Sequence, residues 1–188
     1  MARGSSLKEA RARFCLLVGR LTFIWQKLEA DYRPTPLNLH DPEAKTVGRV
    51  SAGITWDATV DLDLFVKHRD DDQELSYGRT RSRNLAGVFV RDIQSRPETN
   101  GFETIYYGKD VDLRRFEPIY VNFYGGRSRN PIEGQLRLQF GDQIYVRKFR
   151  ITAQYGNKGR GNRDHHPCWV KFTIPEILAG ELTQPSDL

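Results

Sequence analysis

Cysteine is scarce in this chain of 188 residues, which holds Cys15 and Cys168 and no C-x-x-C pair. Two cysteines do not make a disulfide framework. The run His165, His166, Pro167, Cys168 supplies fewer zinc ligands than a structural site needs, so we favour a loop-to-strand junction with a buried cysteine over a metal site. A reducing compartment is the default expectation, and we predict a cytoplasmic protein.

Long apolar runs are also missing. The best candidate, residues 14–25, has twelve residues and contains Arg20. A membrane-spanning helix needs about 20 apolar residues, and a signal peptide needs a small-residue cleavage site that does not follow here. We therefore predict neither a membrane span nor a signal peptide.

Sequence motifs typical of enzymes are lacking as well. No G-x-S-x-G elbow occurs, and the Gly-rich segment 156–163 does not end in the G-K-[ST] of a nucleotide-binding loop. We predict that the protein is not an enzyme and assign no catalytic residue.

The composition is that of a folded domain, with 38% hydrophobic and 11% aromatic residues and a net charge of +5. The charge is unevenly distributed. Residues 57–117 contain 13 acids and 10 bases, whereas residues 141–171 contain 7 bases and 2 acids. A net charge of this size does not by itself indicate a nucleic-acid partner.

A heptad-like apolar seam runs through residues 7–32 and predicts an N-terminal helix, which Pro34 and Pro36 end. Its apolar surface is wider than a solvated helix needs, so the helix either packs on the body or joins an assembly of several chains. In the second case it mediates self-association or binds a protein partner. The seam consists of Leu7, Ala10, Phe14, Leu17, Leu21, Ile24 and Leu28.

Period-two alternation of apolar residues dominates the rest of the chain and predicts short strands. Interleaved helices are missing, and Gly141-Asp142 makes a two-residue turn between two alternating runs. We predict a mainly β fold, an antiparallel β-sandwich of about eight strands with an N-terminal α-helix. The predicted parts are a helix (1–33), a linker (34–46) and the sandwich domain (47–188). The predicted strands are 48–56, 60–67, 87–93, 102–107, 119–124, 135–140, 144–151 and 170–174, followed by one helical turn over 175–179.

Acidic residues alternate along the clearest strand. Asp61 and Asp63 face the same side, about 6.5–7 Å apart at the backbone. Two like charges this close favour a hard cation. Further oxygen ligands are available from Asp57, Asp92, Glu98 and the loop acids Asp70, Asp71 and Asp72, and of these we assign Asp57 and Asp92. We predict calcium as the candidate cofactor, with pairing to arginine or lysine as the alternative.

The run Ile54–Asp57 followed by Val60–Val66 resembles the opening of a bacterial β-sandwich domain of unknown function, often found with von Willebrand A-type or secreted proteins. A middle segment with Asp92, Pro97-Glu98 and residues 101–103, and the strand 120–124, are similar to later parts of that domain. The D-L-D strand is more distantly similar to calcium-linked pre-peptidase and tellurite-resistance domains. The resemblance covers about residues 49–152 and implies a sandwich with a binding role.

Arginine also alternates, and this indicates a possible polyanion site in which phosphates pair with guanidinium groups and bases stack on tyrosine rings. The alternative is a set of solvated loops that pair with the acidic half. The candidate cations are Arg79, Arg81, Arg83, Arg127, Arg129, Lys158, Arg160 and Arg163. The candidate rings are Tyr106, Tyr107, Tyr120 and Tyr124.

Three functions therefore remain open. The first is a non-enzymatic binding module that calcium stabilises. The second is an assembly component that uses its N-terminal helix, and the third is a binder of polyanions or single-stranded nucleic acid.

Overall fold

The computed structural model of the chain describes residues 37–91, 101–126, 128, 131–151 and 163–183. In these ranges the protein is mainly β, as predicted. The predicted helix of residues 7–32 lies outside them. No helix within the described ranges has the length and apolar character needed to cross a membrane.

The strands follow one another with few interruptions. They are β1 (Val47–Gly48), β2 (Val50–Trp56), β3 (Asp61–Phe65), β4 (Gly87–Arg91), β5 (Gly101–Tyr107), β6 (Val111–Asp112), β7 (Ile119–Gly125), β8 (Ile132–Phe140), β9 (Gln143–Ile151), β10 (Trp169–Phe172) and β11 (Glu181–Thr183). A 3-10 helix covers Leu113–Arg115, and helix α1 covers Ile174–Leu178.

The strands form three antiparallel sheets. The largest has six strands in the order β11-β9-β8-β2-β5-β4, the second has the order β10-β7-β3, and β1 pairs with β6. The predicted hairpin between β8 and β9 is confirmed, with Phe140 opposite Gln143. Gly141 has a φ of +58°, a conformation that glycine adopts without strain.

The predicted first strand, residues 48–56, is in fact two strands in different sheets. Val47 and Gly48 pair with β6, whereas β2 begins at Val50 and pairs with β5 and β8. Arg49 lies at the change of partner, where its carbonyl accepts a hydrogen bond from Gly141 N at 3.0 Å. Alternation predicts an extended chain but not this change of sheet.

Alternation does predict which residues of β2 are buried: Val50, Ala52, Ile54 and Trp56 are each 3% exposed or less. One hydrophobic cluster contains these side chains together with buried residues of β3 and β7. Residues of the six-stranded and the three-stranded sheets therefore share a core.

Two strand glycines make room for aromatic rings. A Cβ on Gly101 would lie 1.8 Å from the Trp56 ring, and one on Gly134 would lie 2.3 Å from the Phe149 ring. Both pairs are cross-strand neighbours. The rings cover strand positions that glycine alone would leave without packing.

A hydrogen bond joins the six-stranded sheet to the edge of the three-stranded sheet. Glu103 of β5 is fully buried, and its Oε2 accepts the Leu64 backbone N–H at 2.6 Å. Strand β3 is the edge strand here, so alternate N–H groups of β3 have no partner in the ladder. The Glu103 carboxylate supplies one such partner.

Helix α1 confirms the predicted helical turn near residue 175. Thr173 caps it by accepting the Glu176 N–H, and the Glu176 side chain accepts the Thr173 N–H in return. This capping box satisfies two donors that a helix start otherwise leaves open. The Thr173 N–H holds the pKa of Glu176 below its usual value.

Candidate functional site

The acidic side of β3 is a packed layer and not an open anionic face. Asp63 is only 3% exposed, and it lies opposite Asn122 of β7, which in turn lies opposite Trp169 of β10. Phe65, two residues along β3, packs on Trp169 with ring centroids 5.1 Å apart. The two faces of this strand are therefore both buried, unlike the one-sided ribbon that alternation indicates.

The predicted calcium ligands are only partly described. Asp61 is half-buried on the same side of β3 as Asp63, and Asp57 is exposed in the preceding turn. Asp92 lies outside the described residues. Among the residues that the structure does describe, no three His, Cys, Asp or Glu side chains form a group able to hold a metal ion.

A cluster of charged residues surrounds Tyr120 on this side. The Tyr120 hydroxyl donates to Asp164 Oδ1 at 2.8 Å, and Lys171 Nζ lies 2.8 Å from the same oxygen. The Lys171 ammonium, with the Tyr120 hydroxyl, holds the pKa of Asp164 below its ordinary value. Burial and the bond to Asp164 raise the pKa of Tyr120.

Arg163, one of the predicted polyanion-binding cations, belongs to this cluster. Its guanidinium lies 3.9 Å from the centre of the Tyr120 ring, and its Nη1 lies 2.6 Å from Glu74 Oε1. The charge of Arg163 is thus neutralised by a carboxylate 89 residues away in the chain. The other predicted loop cations, Arg127, Arg129, Lys158 and Arg160, lie outside the described residues.

His166 and Cys168 engage the backbone. His166 Nδ1 accepts the Cys168 N–H at 3.2 Å, and Asn122 Nδ2 donates to the Cys168 carbonyl at 3.1 Å. Cys168 is 3% exposed. This is the buried loop-to-strand junction that we favoured.

The arginine segment, residues 79–83, extends the six-stranded sheet beyond β4. Phe89 N donates to the Thr80 carbonyl and Ser82 N donates to the Gly87 carbonyl, each at 2.9 Å. These bonds place Arg81 opposite Val88. Arg81 therefore lies on an extended, sheet-paired backbone, and Arg83 lies at the bend that follows; the predicted strands do not include this segment.

The three guanidinium groups of this segment are exposed to solvent. Over the described ranges they form no hydrogen bond or ion pair. Arg49, Arg115 and Arg150 differ in this respect, because they pair with Asp110, Asp70 and Glu133, respectively. A carboxylate does contact the backbone of the segment, because Asp72 Oδ1 accepts the Arg83 N–H at 3.3 Å.

A buried acid lies beside the arginine segment. Asp71 is 5% exposed, and its Oδ1 accepts the Asp72 N–H at 3.0 Å. Ser82, which lies between Arg81 and Arg83, accepts the Gly87 N–H through its Oγ at 2.9 Å. Burial raises the pKa of Asp71, although the nearby Ser82 hydroxyl opposes the shift.

The outer face of the six-stranded sheet continues from this segment. The register places Arg81, Val88, Tyr106, Ser51 and Gln139 in one row across five neighbouring strands. Since neighbouring strands lie about 4.8 Å apart, the Arg81 and Tyr106 backbones are about 10 Å apart.

Tyr106 is the exposed ring of this face. It is 45% exposed. A shallow depression of about 260 Å³ lies beside the ring, with Arg49, Ser51 and Gln139 among its lining residues. Two more cations without an ion pair in the described ranges, half-buried Arg137 and exposed Lys148, lie on the same face.

The other three candidate tyrosines do not offer an open ring. Tyr107 and Tyr120 are 3% and 4% exposed, and Tyr124 is half-buried with its ring 5.7 Å from that of Tyr77. Burial raises the pKa of the Tyr107 hydroxyl far above its ordinary value. Of the four tyrosines that the sequence analysis groups together as candidate rings, Tyr106 is therefore the one whose ring is open to a ligand.

Sequence reasoning did not select Arg137 and Lys148. Arg137 lies on the polar side of the alternating run 135–140, and Lys148 lies opposite Gln135 on the next strand. The alternation of the hairpin already places Arg137 and Lys148 on its polar side. It does not show that β8 pairs with β2 and β2 with β5, and these pairings put the two cations on the same face as Tyr106.

Together these features define a mainly β protein whose largest sheet carries a basic and aromatic outer face. Comparisons of the chain with protein-family models, curated proteins and solved structures found no match. The resemblance to the bacterial β-sandwich family therefore stays a prediction.

Proposed function

We propose that this protein is a non-enzymatic binding module that holds an anionic polymer on the outer side of its six-stranded sheet. The observation that carries the proposal is the arginine segment, in which Arg79, Arg81 and Arg83 are exposed and form no ion pair within the described residues. Arginine pairs well with phosphate or sulfate groups because its planar guanidinium donates several parallel hydrogen bonds.

A β-sandwich is the architecture that we propose for the module. Its support is the hydrophobic cluster shared by residues of both larger sheets, together with the Glu103 bond to Leu64. Two sheets that pack through one face each leave the other face of each sheet for solvent or ligand. The Tyr106 side is such a face.

The backbone of the arginine segment is also preorganised for binding. It is held by two ladder hydrogen bonds to β4, and the Ser82 side chain adds a third bond by accepting the Gly87 N–H. A rigid backbone reduces the conformational entropy that binding removes. The segment is therefore better suited to ligand contact than a mobile basic loop of equal charge.

The first experiment measures the salt dependence of binding to a labelled heparin fragment and to a labelled single-stranded oligonucleotide. For the single strand, each lost phosphate contact lowers the slope of log K against log salt by about 0.7. The variant Arg79→Gln/Arg81→Gln/Arg83→Gln is therefore expected to bind more weakly, with a slope smaller by about 2.

A matched control removes three cations that already have partners and lie away from this face. The variant Arg115→Gln/Arg163→Gln/Lys171→Gln has the same net charge as the test variant, but each replaced cation is paired with a carboxylate. We expect it to keep most of the affinity and slope of the parent protein. Equal losses in the two variants, or no salt-dependent binding of either probe, would contradict the proposal.

Calcium stabilisation and assembly through residues 7–32 stay predictions. Thermal unfolding with millimolar calcium and with chelator tests the first, and an unchanged midpoint removes calcium from the proposal. Light scattering on the full chain and on a chain without residues 1–33 tests the second. A monomer in both forms, still folded without the helix, discards that function.

A further inference from the structure

We infer that the anionic polymer is a single-stranded nucleic acid, and that one of its bases stacks on Tyr106 while neighbouring phosphates lie against the arginine segment. The inference rests on the proposed function and assigns to the same face a ligand class and a stacking residue.

The first support is the position of the exposed ring beside an apolar neighbour. Tyr106 is 45% exposed, with half-buried Val88 opposite it on β4. An exposed aromatic ring with an aliphatic neighbour is a favourable surface for the flat face of a base. Sulfated polysaccharides carry no aromatic base, so their affinity for this face would depend mainly on the cations.

The second support is the placement of charge around the ring. Arg81 lies in the same cross-strand row as Tyr106, two strands away, and no acidic side chain lies between them in that row. On the far side, the row continues through Ser51 to Gln139, whose hydroxyl and amide groups are able to hydrogen-bond base edges or sugars. A nucleic-acid strand that crosses the sheet along this row meets a guanidinium group, an aromatic ring and an amide in turn.

The third support is the shape of the face beside the ring. Ser51 and Gly53 are small residues on central strand β2, and Tyr106 and Gln139 flank Ser51 on the neighbouring strands. The depression of about 260 Å³ begins here and has Arg49 in its lining. An unstacked base fits beside such a ring, whereas the paired bases of a duplex are stacked inside the helix and do not present a flat face.

The test compares Tyr106→Ala and Tyr106→Phe with the parent protein. Stacking on one aromatic side chain changes affinity for a single strand by about 5- to 140-fold when alanine replaces it. We expect a loss in this range for Tyr106→Ala and near-parent affinity for Tyr106→Phe. The salt slope should stay unchanged in both, because no cation is removed.

An abasic oligonucleotide of the same length supplies the phosphates without the bases. We expect the parent protein to bind it more weakly than the ordinary strand, and Tyr106→Ala to bind it as the parent does. Circular dichroism on each variant confirms that the sheet is retained.

The two proposals fail in different ways. If the parent binds ordinary and abasic strands equally tightly, with a normal salt slope, base stacking is overturned while the anionic-polymer function stands. Unchanged affinity of Tyr106→Ala for the ordinary strand has the same meaning. If neither strand nor the heparin fragment binds, the proposed function itself is overturned.

Discussion

Replacing Glu103 by alanine tests the contact between the two larger sheets. The Glu103 carboxylate is fully buried and accepts the Leu64 N–H at 2.6 Å. In Glu103→Ala the Leu64 N–H loses this acceptor in the interior. We expect a clear loss of stability, and a smaller one in Glu103→Gln, because the amide oxygen of glutamine is able to accept the same hydrogen bond.

The magnitude follows from three contributions. A buried N–H that loses its acceptor costs about 1–3 kcal/mol. Removing the buried stem of the side chain adds about 0.8 kcal/mol per methylene. Relief of the cost of burying a carboxylate offsets part of this. We expect the free energy of unfolding of Glu103→Ala to fall by about 1–3 kcal/mol, and that of Glu103→Gln by less than half as much.

Urea unfolding measures the loss, and amide hydrogen exchange locates it. The Leu64 amide should exchange faster in Glu103→Ala than in the parent protein, under conditions where the inner strands of the large sheet stay protected. Tyr106→Ala, on the same strand but on the solvent side, is the control and should change stability by less than about 1 kcal/mol. If Glu103→Ala unfolds like the parent and the Leu64 amide stays protected, the assigned contact is wrong.

Three further predictions concern packing, pH and the Arg163 cluster. In Gly134→Ala the added Cβ meets the Phe149 ring at 2.3 Å, so urea unfolding should show a loss of about 1–3 kcal/mol; no loss would contradict this packing. Burial raises the pKa of Asp71 above 3.8, so its contribution to stability is full at acid pH and lost as pH rises through that raised value. Asp71→Asn should therefore gain stability relative to the parent between acid and neutral pH, and a constant difference in unfolding curves across this range would refute the assignment. Arg163→Ala removes the pair with Glu74 and should lower stability by about 1 kcal/mol or less while leaving oligonucleotide affinity unchanged in the same titration; a loss of affinity equal to that of the arginine-segment variant would place Arg163 in the ligand surface instead.

Local sequence patterns were sufficient for several elements. Alternation in residues 135–151 with Gly141-Asp142 between its halves predicts the β8–β9 hairpin, and the structure confirms it. Alternation in residues 79–83 indicates cations along one side of an extended chain; all three arginines are exposed and Arg81 is paired with β4, whereas Arg83 lies in a bend. Such patterns depend only on the period of an extended chain, in which successive side chains point to opposite sides.

Only the tertiary structure decided which side of each strand is inside and which residues meet across the fold. Alternation places Tyr106 and Tyr107 on opposite sides of β5, but the packing of the sheet determines that Tyr106 is exposed and Tyr107 buried. The pairing of Arg163 with Glu74 and the bond from Leu64 to Glu103 join residues far apart in the chain. Contacts of this kind arise when sheets pack, because burial then requires each charge or N–H to find a partner wherever the topology brings one near. The alternation of side chains along a strand is a local property of the chain. The hydrogen-bond and ion-pair partners of buried groups depend on how the sheets are assembled.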